Sequence, residues 1–321
     1  MSGDVLLQQL EYLVALARER HFGRAAARCH VSQPTLSVAI RRLERELDVV
    51  IVLRGRRFEG FTEEGSRIVA WSNRILAERD ELLADVERMR GRLSATVRIA
   101  AIPTAIPASP LLTAQFVRDN PAATMRIEAA SSREIARRLA DFEVDAGLTY
   151  LDGEMLPGFR GIELYREQYV LLAPQDLPVM KSEYVKWEDA ADLALCAFTP
   201  EMRNRRIIDA RMAAVGAQCR PVVEADAVGT LFAHLQGSRL AAIASHTWLR
   251  VYGIPEGMTA RPMVEDGPGP VVGLIVLDRE PNSIVAAALI EAAQRVDFRQ
   301  ELMSPSSGLS ASSQMVDRCC Q

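Results

Sequence analysis

Apolar residues recur at helical spacing through the first fifty positions, and then the pattern changes. Leu6, Leu10, Leu13, Val14 and Ala17 mark a first amphipathic helix, broken at His21-Phe22-Gly23. Ala25, Ala26 and Cys29 give a second helix its apolar face, and Leu36, Ile40, Leu43 and Leu47 give a third its buried stripe. In the tight polar turn between these two, Ser32 is placed to cap the third helix. Pro34 falls in its first turn, where a missing N–H is tolerated. Val49 to Leu53 is a short β-rich run, Arg54-Gly55-Arg56-Arg57 a turn, and Phe58 to Thr62 a return run, which predicts a hairpin. From Thr62, a plausible N-cap followed by Glu63 and Glu64, the spacing becomes helical again. Ile68, Trp71, Ile75, Leu82, Val86, Met89 and Leu93 alternate with charged residues. A helix of roughly 30 residues spans ~45 Å, more than the preceding head can cover. Its apolar seam implies a partner helix, most simply its own copy in a homodimer.

After Gly91 strands and helices alternate. Thr96–Ala101, Met125–Ala129 and Ala146–Tyr150 read as strands, separated by helices over Pro110–Asn120 and Ser131–Phe142. That order predicts a parallel sheet with crossover helices. Glu163–Ala173 reads as one further strand region. Helices at Trp187–Leu193, Asn204–Val215 and Val228–Gln236 and strands at Leu195–Phe198, Arg220–Glu224 and Leu240–Ala244 then form a second α/β unit. Val271–Leu277 and a closing helix over Ile284–Phe298 can return to the first. Two such lobes make a cleft, where open α/β sheets bind ligands at their strand C-termini. The Ser-rich end lacks periodicity and reads as a disordered tail.

Composition narrows the choice. The net charge of −4 excludes a uniformly basic nucleic-acid binder. The sign is uneven, however: residues 1–60 carry ten Arg against seven acidic residues. Small hydrogen-bonding side chains (Ser32, Gln33, Thr35, Ser37, beside Pro34) at the tip of the third helix suit entry into a DNA major groove. Arg41, Arg42 and Arg45 behind them suit phosphate contact, and Arg54, Arg56 and Arg57 give the hairpin a basic tip. The five cysteines are scattered with no CxxC pair, so neither a disulfide framework nor a zinc site is expected. The N-terminus lacks the basic-then-apolar order of a signal peptide, and no apolar run reaches the ~18 residues of a membrane span. A cytoplasmic protein without membrane contact and without a cofactor is expected.

The stretch LEYLVALARERHFGRAAARCHVSQPTLSVAIRRLERELDVVIVLRGRRFEGFTEEG, residues 10–65, resembles the winged helix-turn-helix of LysR-type transcriptional regulators in order, spacing and chemistry. VSQPTLS followed by IRRLERELDV is its specific core. The resemblance implies an α/β protein with an all-α/winged head. A winged helix-turn-helix domain would occupy 1–61 and a dimerising linker helix 62–93. A two-lobed, periplasmic-binding-protein-like effector domain would occupy 94–300, with lobe I at 94–163 and 266–300 and lobe II at 164–265. A tail would fill 301–321.

By the same resemblance the helix 33–47 reads DNA with the wing 54–57: Gln33, Pro34, Thr35 and Ser37 face base edges, and Arg41 and Arg42 the backbone. The effector site begins at Thr104 and Ala105, in the loop after the first strand, with Thr149 at the end of the third. Phe198, Thr199 and Arg203 join from the second lobe, with Thr230 and His246 as further candidates. Two positions depart from the family's pattern. His21 stands where a capping Ser is frequent, so the second helix should be capped less well, and Arg239 enlarges the turn before Leu240.

The function implied is regulation of transcription: promoter DNA as partner, RNA polymerase recruited, a small effector, with an organic anion favoured, and a homodimer assembling into a homotetramer. Two other classes fit less. A solute-binding protein leaves residues 1–93 without a role. An α/β enzyme lacks GxSxG, a P-loop, GxGxxG after a strand, and HExxH; Ser245-His246 has no evident acid partner.

Overall fold

The computed structural model describes residues 7–54, 58–89, 93–152, 157–264, 267–280 and 283–303. The chain divides near residue 95 into two compact units.

In the first unit α1 (Leu7–Glu19), α2 (Phe22–Arg28) and α3 (Gln33–Leu47) pack around Leu13, Leu16, Leu36, Ile40, Leu43 and Ile51, all fully buried. The expectation of a weak cap on α2 is overturned. His21 Nδ1 accepts the backbone N–H groups of Gly23 and Arg24 at 3.1 and 3.3 Å, so the imidazole does the work of a serine hydroxyl. Ser32 caps α3, accepting the N–H of Thr35 at 3.2 Å. The helix stops where Asp48 turns left-handed at φ 53°. A hairpin follows, β1 (Val52–Arg54) antiparallel to β2 (Phe58–Phe61). Glu44 of α3 accepts the N–H groups of Ile51 and Val52, both at 3.0 Å, and so ties the wing to the helix. Thr62 caps α4 (Glu63–Met89) as expected, accepting the N–H of Gly65 at 2.8 Å. A side chain on Gly65 would meet the Ile51 carbonyl at 2.1 Å, so only glycine lets the helix start there.

The second unit contains two lobes. The first is built on β3 (Thr96–Ala101), α5 (Ser109–Asp119), β4 (Thr124–Ala129), α6 (Ser132–Ala140), β5 (Ala146–Tyr150) and β6 (Phe159–Arg166). The second carries β7 (Tyr169–Pro174), α7 (Trp187–Ala191), β8 (Cys196–Phe198), α8 (Arg203–Ala214), β9 (Val223–Ala225), α9 (Val228–Leu235), β10 (Ala242–Ser245), α10 (His246–Tyr252) and β11 (Met258–Pro262). The chain then returns to the first lobe through β12 (Val271–Leu277), α11 (Ile284–Gln294) and α12 (Phe298–Met303). The first sheet has the order β4-β3-β5-β12-β6. β3 is parallel to β4 and β5, but β12 inserts antiparallel between β5 and β6, so the sheet is mixed rather than wholly parallel. In the second lobe β7 is the centre of an antiparallel β10-β7-β11 sheet. The parallel pair β8-β9 joins it through the Leu195–Ala241 bridge.

Four expectations need correction. The single strand expected over 163–173 is two strands in different sheets. The break falls at Glu167-Gln168, where consecutive amides go to different partners: Glu167 N–H donates to the Pro270 carbonyl at 2.8 Å and Gln168 N–H to the His246 ring at 3.1 Å. The expected lobe boundary between 163 and 164 therefore lies inside β6, which stays paired with β12 to Arg166. The closing helix is also two helices, because Asp297 restarts the chain by capping Gln300 N–H at 2.9 Å. The second of them carries helix to Met303, past the expected start of the tail at 301; the tail beyond Met303 lies outside the described residues.

Candidate DNA-reading face and effector cleft

Buried Leu36, Ile40 and Leu43 fix which side of α3 faces the core. The opposite side presents Pro34, Thr35, Arg41, Arg42 and Arg45 to solvent, together with Gln33 at the N-terminus. Ser32 and Ser37 are already engaged: Ser32 Oγ lies 2.8 Å from Thr35 Oγ1, and Ser37 Oγ accepts from Arg41 Nη2 at 3.2 Å. Arg42 is paired with Glu46 at 2.7 Å, an exposed ion pair of the kind that contributes little to stability and releases its guanidinium readily. Arg54 ends β1; Arg56 and Arg57 lie outside the described residues.

The effector candidates are only partly brought together. Thr104 is fully buried just beyond β3, and its Oγ1 lies 3.2 Å from Tyr150 Oη. Tyr150 Oη in turn donates to Glu167 Oε2 at 2.6 Å. The same carboxyl oxygen accepts from Tyr169 Oη at 3.0 Å and Asn204 Nδ2 at 3.4 Å. The Thr104 carbonyl accepts from Thr247 Oγ1 at 3.0 Å, and Thr247 Oγ1 lies 3.0 Å from Ser245 Oγ. Thr104, Tyr150 and Ser245 stand at the C-terminal ends of β3, β5 and β10, where open α/β sheets hold ligands; Glu167 follows β6, Tyr169 opens β7, and Asn204 and Thr247 lie in the first turns of α8 and α10. Arg203 stacks over the Tyr150 ring at 5.6 Å, and its guanidinium donates to the Asp152 carbonyl.

The remaining candidates are held by other contacts. Ala105 is buried and its amide is used in the turn, donating to the Ile102 carbonyl. Thr149 Oγ1 donates to Ser132 Oγ at 2.9 Å. Phe198 packs edge-on against Trp248 in the apolar core of the second lobe. Thr199 is half-buried, its N–H donating to the Ala225 carbonyl, and Thr230 is exposed on α9. His246 opens α10 and accepts from Gln168; burial lowers its imidazole to about 4, so it is a neutral structural group. Arg239, the enlarged turn, is exposed and pairs with Asp176 at 3.0 Å.

Sequence reasoning missed Tyr150, Glu167, Tyr169, Asn204 and Thr247. Glu167 is completely buried, and that burial pushes its carboxyl above the usual range. Hydroxyls of Tyr150, Ser245, Tyr169 and Thr104 act the other way. Its Oε1 lacks a partner in hydrogen-bonding geometry, although the Ser245 hydroxyl lies close enough to favour the charged form. A visible signal existed: one acid between two tyrosines, directly before the apolar run of a strand, YREQYVLLA.

A winged helix-turn-helix in one unit and a two-lobed α/β body in the other are the two parts of this chain. Residues 7–66 match the bacterial regulatory helix-turn-helix proteins of the lysR family, and residues 90–297 match the LysR substrate binding domain. The chain belongs to the LysR family.

The hydrogen peroxide-inducible genes activator of Pectobacterium carotovorum subsp. carotovorum is 34% identical over 186 residues, covering 58% of this chain and 61% of that protein. The match thus spans about three fifths of the relative's length. A full-length OxyR variant from Pseudomonas aeruginosa superposes with a TM-score of 0.69 at 25% identity, over 92% of this chain and 99% of that one. Full-length CbnR complexed with its target DNA shares the fold, with a TM-score of 0.67 at 20% identity, over 90% of this chain and 99% of that one.

Proposed function

We propose that this protein regulates transcription by binding promoter DNA through α3 and its wing, under the control of a small organic anion held between the two lobes. The observation that carries the reading is the exposed, arginine-bearing side of a capped helix in a family helix-turn-helix. The CbnR structure, complexed with its target DNA, supports the same use of this fold. For the effector, the hydroxyl-rich cluster at the strand ends supplies hydrogen bonds, and Arg203 supplies the cation for a carboxylate. The ligand acts by binding one lobe arrangement better than another. The protein works as a homodimer through α4, assembles into a homotetramer and recruits RNA polymerase.

Sensing of peroxide through a thiolate finds no support in the described cysteines. Burial pushes Cys196 and Cys219 up to about 11 and also raises Cys29, the opposite of an activated thiol. Cys319 and Cys320 lie outside the described residues.

An electrophoretic shift on the promoter fragment preceding its own gene tests the DNA role. Wild-type protein should bind, and Arg41→Ala and Gln33→Ala should each weaken binding at least tenfold, about 1.4 kcal/mol. Unchanged affinity and sequence preference in both variants removes α3 as the reading helix. A thermal-shift screen of small carboxylates tests the effector: a hit should raise the melting temperature, and Arg203→Ala should abolish the rise.

A further inference from the structure

The outward side of α3 is not wholly polar. Val38 is 57% exposed in the middle of it. At about 100° per residue, Val38 points about 190° away from the mean direction of Leu36, Ile40 and Leu43. It therefore lies, with Arg45, on the stripe turned most directly from the core. Pro34 lies one turn before it, and Arg41 and Arg45 one and two turns after, on the same stripe. Its free flank opens on a groove of about 750 Å³ that it shares with Arg41, Arg45, Val50 and Leu53. Its branched methyl groups can make no hydrogen bond.

We infer that Val38 reads a thymine by packing its methyl groups against the thymine C5-methyl in the major groove. The inference rests on the DNA-reading role proposed for α3. Thymine is the one base that presents a methyl group in the major groove, and apolar side chains are what recognise it. The helix places Val38 between the residues that would reach base edges, Pro34 and Ser37, and the arginines that would hold phosphate. Clamped from both ends, the helix centre comes closest to the floor of the groove, where an apolar group excludes water from one base-pair step. Val38 then sets preference at one position in each half-site, while Arg41 and Arg45 supply affinity that no base determines.

The test is selection of bound duplexes from a random-sequence pool by the full-length wild-type protein and by Val38→Ala. The wild type should select a thymine at one fixed position per half-site, and Val38→Ala should accept other bases there. Remaking the selected duplex with deoxyuridine at that position removes only the methyl group. Wild-type affinity should fall about fourfold per half-site, the worth of one buried methyl. Val38→Ala should bind the thymine and deoxyuridine duplexes equally, with its salt dependence unchanged; Arg41→Ala should lower the salt slope and keep the thymine preference. A wild-type protein indifferent to every thymine-to-deoxyuridine replacement overturns the inference, as does a Val38→Ala protein that keeps the full methyl effect. If the wild type selects no sequence at all, the DNA-reading role of α3 falls and the assignment of Val38 falls with it.

Discussion

His246 shows how a polar residue at a plausible ligand position can be claimed by the backbone. Its Nδ1 accepts the Gln168 N–H and its backbone N–H donates to the Gln168 carbonyl at 2.9 Å, so it joins the end of β10 to the start of β7. Because burial depresses the folded-state value to about 4 from an ordinary 6.5, protons bind preferentially to the unfolded chain. The stability this site contributes is present above pH 6.5 and is lost as pH falls from there toward 4. Urea unfolding between pH 7 and 4 should show that loss. His246→Asn, which can keep an acceptor for Gln168, should flatten the difference over this window; a parallel pH profile in the variant would remove His246 as its source. Gly269 is constrained from the same quarter, since a Cβ there would lie 1.8 Å from the Glu167 carbonyl. His21, by contrast, was readable as a departure from a capping serine but not as a cap in its own right. That role depends on the imidazole rotating its Nδ1 over two free amides, which spacing alone does not reveal.

Among the elements, α4 leaves the most unaccounted surface. Its 27 residues extend about 40 Å, and Ile68 and Leu76 pack on the head while Arg79 pairs with Glu11 of α1. Ile75, Leu82 and Met89 follow at intervals of seven and are exposed, Leu82 by 64% and Met89 by 75%. A seven-residue repeat keeps one seam facing a partner helix. The double variant Ile75→Glu, Leu82→Glu should therefore sediment as a smaller species with its helical circular dichroism retained. Sedimentation identical to wild type would place the subunit interface elsewhere. The periodicity of this helix was plain from the sequence because an amphipathic pattern repeats locally. The division of 163–173 into β6 and β7 was not, because both pieces have the same β-rich composition and differ only in which distant strand each amide meets.

At the scale of the molecule's second unit, Glu167 sits where the chain passes from one sheet to the other. Tyr150 comes from the first lobe, Tyr169 and Asn204 from the second, and all three converge on one carboxyl oxygen. A fully buried acid in such a network is costly to disturb, since each lost partner leaves a polar group unsatisfied. Tyr150→Phe should destabilise the protein by about 1–3 kcal/mol in urea unfolding. Its effect should be non-additive with Glu167→Gln, because the two share one interaction. Strict additivity would show that the tyrosine hydroxyl and the carboxyl are energetically independent. Thr104 was legible as a loop residue after a strand. Its partner Tyr150 was legible only as the last residue of one.

What the sequence determined by itself are the features with short range. They include the three helices and the hairpin of the head, the caps at Ser32 and Thr62, the long amphipathic α4, and the strand–helix alternation of the body. Helical and strand periods, and a cap three residues from its amide, are written within one stretch of chain. The tertiary structure alone decided how β12 enters the first sheet and where the chain crosses between sheets. It also decided which side chains meet at Glu167, where Asn204 lies 37 positions away in the chain. Such contacts follow from closing long loops around two cores, and nothing in local spacing encodes their geometry.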